Sequence, residues 1–192
     1  MYRFYTYDIS NLTDDQFNQW YERLDPVKKL RVDRFKFLDD KKRTVVGDAL
    51  ARKAIFDLCG ENESDVTFFY TEKGKPFIKK EKVYFNLSHS NNLVVCVASD
   101  RNIGVDVEKI KEVSPQMVNR VCTESELFSV IDNEGNIDVK SFFKIWTIKE
   151  AYFKLVGTGI VDFKKIDSQK INNVIFTEDF DGYILSIVLE DN

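Results

Sequence analysis

Residues 103–110 read IGVDVEKI and predict a β-strand that carries two acidic side chains. Alternate side chains of a strand point to opposite faces, so Asp106 and Glu108 share one face, with Cα atoms about 6.5 Å apart. Two carboxylates on one face repel each other and are costly to bury unpaired, so this face needs cations. Either the pair lies on a solvated sheet edge with Lys109 or Lys111 nearby, or it belongs to a binding site.

The segment IWTIKEAYFKLVG, residues 145–157, predicts a helix. Its inward face consists of residues at three- and four-residue steps, namely Ile145, Ile148, Tyr152 and Leu155. Trp146, Glu150 and Lys154 recur four residues apart on another face. Glu150 and Lys154 form either an exposed ion pair or part of the same site as the two acids of the strand.

A third carboxylate beside the two acids of the strand would suit a magnesium ion. Mg²⁺ prefers a small number of carboxylate oxygens, keeps some water, and takes its other ligands from substrate phosphates. Zinc is disfavoured because the chain has one histidine, His89, and no cluster of cysteines. His89 follows Ser88 at the end of a predicted strand, where it is either a packed or capping residue or a hydrogen-bonding partner for a phosphate.

Positive charge is concentrated in the N-terminal third of the chain. The formal net charge is −4, but residues 28–53 carry ten lysines or arginines and four aspartates. This asymmetry favours an anionic ligand near these residues, and a small polyphosphate fits it better than a long nucleic acid. The segment RFKF, residues 34–37, leaves an RNA-binding surface as a rival interpretation.

The composition, with 43% hydrophobic and 31% charged residues, is typical of a globular domain with an aromatic-rich core. The N-terminal residues lack the apolar core of a signal peptide, and no apolar run is long enough to span a bilayer. We therefore expect a cytoplasmic protein without a membrane partner. Cys59, Cys96 and Cys122 are odd in number and widely spaced, which favours free thiols.

The predicted elements fall into two halves, residues 1–101 and 102–192, each with helices and strands. In the first half a long helix runs from a cap at Asp39 or Asp40 to Leu58, with Phe56 inward and Gly60 after its end. In the second half residues 117–131 predict a single helix, and residues 139–157 predict another. The helix at 117–131 either docks a partner or faces the core.

Five blocks of the chain resemble the 4′-phosphopantetheinyl transferases, and more closely the surfactin-synthetase-activating type. They are RTVVGDALAR (43–52), GKP (74–76), FNLSHS (85–90), IGVDVEK (103–109) and WTIKEAYFKLVGTG (146–159). The resemblance implies an α+β fold of two pseudo-twofold-related α/β halves packed into one monomer. It also implies that coenzyme A and magnesium bind in a cleft between the halves.

The implied reaction transfers 4′-phosphopantetheine from coenzyme A to a serine of an apo acyl or peptidyl carrier protein and releases adenosine 3′,5′-bisphosphate. By position, Asp106, Glu108 and Glu150 resemble the metal ligands, and Lys154 resembles the residue that faces the pyrophosphate. Glu150, or a water that it orients, is the implied base. The residues that resemble contacts to coenzyme A are Lys28, Arg31 and Arg43 around the 3′-phosphate, and Lys75, Ser88 and His89 around adenosine and phosphates.

The resemblance places the nucleotide-binding residues in the half 1–101 and the metal-binding and catalytic residues in the half 102–192. Two other functions share most of these residues: a noncatalytic coenzyme A-binding protein and a magnesium-dependent coenzyme A pyrophosphohydrolase. A binding protein has no need of Glu150 and Lys154, and both are present, which favours catalysis. A hydrolase would consume coenzyme A without any carrier protein.

Overall fold

The N-terminal residues form an antiparallel sheet with a later hairpin. In the computed structural model, which describes residues 1–159 and 162–191, strand β1 (Tyr2–Asp8) pairs with β5 (Leu93–Ser99), and β5 pairs with β4 (Tyr84–Ser90). The strand order is therefore β1-β5-β4. Every residue of the central strand β5 is buried. Two short strands, β2 (Phe69–Tyr70) and β3 (Pro76–Phe77), flank a turn at Gly74, whose φ of 79° is left-handed.

Three helices precede this hairpin: α1 (Asp14–Glu22), α2 (Pro26–Arg34) and α3 (Leu38–Cys59). The Asp25 side chain caps α2 by accepting a hydrogen bond from the backbone N–H of Lys28. The long helix α3 packs on β5 and β1 through a core that includes Val46, Leu50 and Ile55.

Two details of α3 differ from the sequence prediction. Phe37 is the N-cap, and no side chain caps the helix. Asp39 and Asp40 instead lie in its first turn, where negative charge interacts favourably with the helix dipole. Phe56, which was predicted to face inward, is 43% exposed, because it lies about 100° around the helix from the buried Ile55. Gly60 ends the helix with a φ of 73°, as predicted.

The second sheet has the order β6-β8-β7, formed by β6 (Ile103–Lys109), β7 (Val174–Phe180) and β8 (Tyr183–Leu189). Its helices are α4 (Pro115–Val121), α5 (Glu124–Val130) and α6 (Val139–Val156). The single helix predicted at 117–131 is therefore wrong: Thr123 accepts a hydrogen bond from the backbone N–H of Glu126 and starts a new helix. Val118 and Val121 of α4 face the core.

The chain divides into two compact units, Met1–Asn102 and Ile103–Asn192. Each unit has a first strand, then a long helix, then a hairpin whose second strand pairs with the first strand. This repeated topology confirms the predicted α+β fold with two similar halves. Within the described residues, no helix combines the length and the apolar character that crossing a membrane requires.

Candidate active site

The two acids of β6 lie on one face of the second sheet, as the strand period predicted. Asp106 is only 4% exposed, and Glu108 is partly buried. The Nζ atom of Lys154, on α6, donates a hydrogen bond of 2.6 Å to Oδ1 of Asp106. This ion pair joins the helix to the strand, and Lys154 keeps 30% of its side chain exposed. Lys154 thus contacts an acid of the strand. The alternative of an exposed ion pair between Lys154 and Glu150 alone did not include this contact.

Gly104 explains why α6 lies so close to β6. A Cβ atom at this position would stand 1.9 Å from the carbonyl oxygen of Ala151 and 2.8 Å from the backbone nitrogen of Leu155. Only a residue without a side chain allows the helix backbone to lie directly over the strand. Gly104 and Asp106 share a face of β6, so the same close approach brings the neighbouring turn of α6 to Asp106.

The charges of both acids of the strand raise the pKa of Glu150. Burial and the negative charge of Asp106 raise the pKa of Glu150 to about 7; Lys154 lowers it, and Glu108 adds a smaller upward effect. The four predicted residues of the second unit therefore lie within electrostatic reach of one another. The raised pKa means that the ionised form of Glu150 is disfavoured here, and a bound cation would relieve that condition.

The donor chemistry of this group fits magnesium, because all three acids offer carboxylate oxygens. Among residues 1–159 and 162–191, however, no three histidine, cysteine or acidic side chains are already arranged as a metal site. In the structure Asp106 is engaged by Lys154. The ligand set Asp106, Glu108 and Glu150 therefore stays a prediction, and binding the ion would require these side chains to rearrange.

A buried ion pair holds one face of α6 against α5, and the sequence patterns did not predict this pair. The side chains of Lys149 and Glu126 are both 0% exposed, and their charged atoms are 2.5 Å apart. Lys149 also donates to the carbonyl oxygens of Val121 and Phe163, at 2.8 and 3.1 Å. The next residue along the helix is Glu150, so the ion pair holds the turn that carries the predicted base.

The predicted coenzyme A contacts lie in the first unit and are not all equivalent. Lys28 is largely buried and donates to Asp48 at 2.6 Å. Arg43 donates to Asp40 at 2.6 Å and to the carbonyl oxygen of Asn91, in the turn that follows β4, at 2.7 Å.

Arg31 lies in a different setting on α2. It lines a groove of about 460 Å³ with Val27, Leu30, Arg34 and Phe35. Its guanidinium carbon lies 5.9 Å from the centre of the Phe35 ring. Arg31 makes no ion pair with any residue of the described chain.

Lys75 follows the turn at Gly74, and its backbone N–H donates to the Thr71 hydroxyl at 3.0 Å. Burial lowers the pKa of Lys75. Ser88 and His89 are neighbours on β4 and so point to opposite faces of the sheet; Ser88 is 6% exposed, whereas His89 is exposed. A ligand that contacts both must therefore reach around the edge of this strand.

Comparison with known proteins identifies the family of the chain. Residues 11–101 match the family model "4′-phosphopantetheinyl transferase, N-terminal", and residues 102–187 match the "4′-phosphopantetheinyl transferase superfamily" model. The chain belongs to the 4′-phosphopantetheinyl transferase family. The first model covers the basic residues from Lys28 to His89, and the second covers Asp106, Glu108, Glu150 and Lys154.

Curated members of the transferase family resemble the chain over most of its length. The 4′-phosphopantetheinyl transferase gsp of Aneurinibacillus migulanus is 32% identical over 148 residues, which cover 76% of this chain and 62% of that protein. The transferase psf-1 of Bacillus pumilus is 29% identical, covering 82% of this chain and 70% of that protein. The transferase Sfp of Bacillus subtilis (strain 168) is 29% identical, covering 78% and 67%. The chain thus spans about two thirds of the length of these relatives, and the resemblance to the surfactin-activating type is confirmed.

Proposed function

We propose that this chain transfers the 4′-phosphopantetheine moiety of coenzyme A to a serine of an apo acyl or peptidyl carrier protein. The reaction depends on magnesium and releases adenosine 3′,5′-bisphosphate. The observation that carries the proposal is the group on β6 and α6: a lysine in contact with Asp106, beside a glutamate whose pKa is raised to about 7. Relatives named for this transfer support it.

The two units have different roles in this proposal. Basic and polar side chains of the first unit bind the nucleotide part of coenzyme A; they are Lys28, Arg31, Arg43, Lys75, Ser88 and His89. The predicted 3′-phosphate contacts among them are lysine and arginine side chains, which suit a phosphate dianion. The second unit acts on the pyrophosphate.

The chemical step needs a neutralised pyrophosphate and a positioned serine hydroxyl. The ammonium of Lys154 can leave Asp106 and donate to a pyrophosphate oxygen, where negative charge grows as the P–O bond breaks. Asp106, Glu108 and Glu150 would hold the magnesium ion, which when bound supplies further positive charge at the phosphates.

Glu150 is the proposed base. An ionised carboxylate can accept a proton, and a bound magnesium ion would keep Glu150 in that ionised form. The proton leaves the serine hydroxyl as its oxygen bonds to phosphorus, and Glu150 receives it directly or through a water that it orients. Adenosine 3′,5′-bisphosphate leaves with the electron pair of the broken P–O bond.

A cytoplasmic location and a monomeric state belong to the same proposal. The three cysteines are free thiols, which suits a reducing compartment. The carrier protein is the only macromolecular partner proposed; a nucleic acid is not among the partners.

The experiment is to incubate the protein with coenzyme A, magnesium and an apo carrier protein. The mass of the carrier is then measured by mass spectrometry. We expect a gain equal to one phosphopantetheine, and its loss in Asp106→Ala at unchanged secondary structure. Carriers from fatty-acid, polyketide and peptide synthesis should all be tried. If none gains mass, intact coenzyme A would indicate a binding protein, and consumed coenzyme A would indicate a hydrolase.

A further inference from the structure

A buried charged cluster lies directly behind Lys28. Asp48, on α3, is 2% exposed, and each of its carboxylate oxygens accepts a separate hydrogen bond. Lys28 Nζ donates to Oδ1, and Arg52 Nε donates to Oδ2, both at 2.6 Å. The cluster connects α2 to α3, since Lys28 and Asp48 are 20 residues apart in the chain.

Arg52 is held by the protein rather than by solvent. Its Nη1 donates to the carbonyl oxygens of Glu63 and Val66, at 2.7 and 2.8 Å. The guanidinium carbon also lies 5.0 Å from the centre of the Phe68 ring. Arg52 thereby holds Oδ2 of Asp48 in place, and Oδ1 of Asp48 is oriented toward Lys28.

The ammonium of Lys28 is held on a second side by aromatic rings. Its Nζ lies 4.4 Å from the centre of the Phe68 ring and 5.8 Å from that of the Tyr70 ring. The side chain is 11% exposed, so it retains a small opening to solvent. An ammonium has three protons, and Asp48 takes one of them, so donors are left for a ligand.

The charges of the cluster decide what it can attract. A pair of Lys28 and Asp48 alone would be neutral and would have little attraction for an anion. Arg52 adds a second positive charge, so the cluster has one net positive charge in a setting that water screens poorly. A buried carboxylate with two cations therefore orients the lysine without cancelling its field.

We propose that Asp48 and Arg52 are positioning residues that set the ammonium of Lys28 for the 3′-phosphate of coenzyme A. This inference rests on the proposed function. Asp48 fixes the direction of the ammonium, and Arg52 keeps the cluster cationic. Neither residue contacts the reacting atoms, so the two affect substrate binding and leave the chemical step unchanged.

The test compares coenzyme A with 3′-dephospho-coenzyme A in transfer kinetics for wild type and Asp48→Asn. We expect Asp48→Asn to raise the KM for coenzyme A about tenfold, the scale of one hydrogen bond to a charged group. The kcat, and the KM for 3′-dephospho-coenzyme A, should stay at the wild-type values. Lys53→Gln is the control: this lysine lies on the same helix, is 50% exposed and pairs with Asp57 at the surface.

Two further variants keep the test decisive if Asp48→Asn folds poorly. Arg52→Gln should raise the same KM, because Asp48 then neutralises Lys28. In a Lys28→Gln background, Asp48→Asn should add nothing, since it acts through the missing ammonium.

Equal losses with both substrates, a lower kcat at unchanged KM, or tighter binding of coenzyme A by Asp48→Asn would each overturn the inference. Absence of transfer by the wild-type protein would instead reject the proposed function, so the two failures are distinguishable.

Discussion

The Nζ atom of Lys154 lies 2.6 Å from Oδ1 of Asp106, and this contact joins the C-terminal part of α6 to β6. Asp106 is 4% exposed, so the contact places a positive charge beside an acid that is largely removed from water. The same lysine lowers the pKa of Glu150, whose carboxylate is otherwise disfavoured by burial and by Asp106. Lys154 therefore offsets part of the negative charge of the site before any substrate arrives.

We expect Lys154→Gln to lower kcat for transfer by about two to three orders of magnitude, the usual loss for one preorganised electrostatic group. The loss follows because the variant has no cation to donate to the pyrophosphate. Mass spectrometry of the carrier at saturating substrates measures it. Lys140→Gln is the control, since Lys140 lies on the same helix, is 63% exposed and pairs with Asp179. Equal activity of the two variants would contradict the role of Lys154.

Gly104 provides a second prediction. Gly104→Ala should destabilise the protein and reduce transfer, because the new methyl group would meet backbone atoms of α6, 1.9 Å away at the Ala151 carbonyl oxygen. The helix must then move outward and carry Glu150 and Lys154 away from β6. We expect a loss of about 1–3 kcal/mol in the free energy of unfolding, the range for overpacked sites. Urea unfolding and transfer assays measure both effects.

Gly47 on α3 offers a matched control for that substitution. A Cβ atom at Gly47 would meet only side-chain atoms, with Leu87 at 3.7 Å and Val94 at 3.9 Å, which is ordinary contact. Gly47→Ala should therefore be neutral or stabilise the helix by up to about 1 kcal/mol, through helix propensity. Similar losses at both glycines would show that the close approach at Gly104 is not the cause.

Local sequence patterns were sufficient for much of the fold and for the grouping of the acids. The alternation in residues 103–109 predicted β6 and the shared face of Asp106 and Glu108. The helical spacing after Trp146 predicted that Glu150 and Lys154 lie on one face. These patterns work because a strand and a helix fix the direction of each side chain relative to its neighbours.

Pairings between distant elements could not be predicted in the same way. Lys149 is fully buried because Val121 and Phe163 supply carbonyl oxygens from outside α6, and helical periodicity contains no information about them. The ion pair of Lys28 with Asp48 joins two helices, so it too depends on tertiary structure. The break before α5, in contrast, had a local signal, since Thr123 and Glu126 form a capping box.

The buried pair of Lys149 and Glu126 should be essential for stability. Lys149→Met removes one partner and leaves the other charge buried, which costs about 3–5 kcal/mol in the free energy of unfolding. The double variant with Glu126→Gln should lose less than the sum of the single variants, because neither charge is then left alone. Urea unfolding of all four proteins measures the coupling, and simple additivity would contradict it.

The same pair predicts a dependence on acid. Burial acts to raise the pKa of Glu126, but hydrogen bonds from Lys149 and Ser168 outweigh it, so the pKa lies below its ordinary value. A lowered pKa stabilises the folded state above the unfolded value of about 4.3, and this stabilisation is lost as the pH falls through the folded value. The stability difference between wild type and Glu126→Gln should therefore shrink as the pH falls below the unfolded pKa of about 4.3. Glu124→Gln, at an exposed position of α5, is the control.

Glu150 should produce the opposite dependence on pH. Its folded pKa of about 7 is above its unfolded value, so the folded state binds more protons between the two values. Without divalent ions, stability contributed by this group is fully present below about pH 4.3 and falls as the pH rises through 7. We expect the melting temperature of Glu150→Gln to exceed that of wild type at pH 8 and to match it near pH 4.

Magnesium should reverse the loss of stability that accompanies ionisation of Glu150, because the ion binds the ionised form of the acids and competes with the proton. Added Mg²⁺ should raise the melting temperature of wild type at pH 8 more than at pH 5, and should raise that of Glu150→Gln less at both. Differential scanning calorimetry with and without the ion measures these shifts independently of catalysis. An equal shift at both pH values, or an equal shift in Glu150→Gln, would show that Glu150 is not a ligand of the ion.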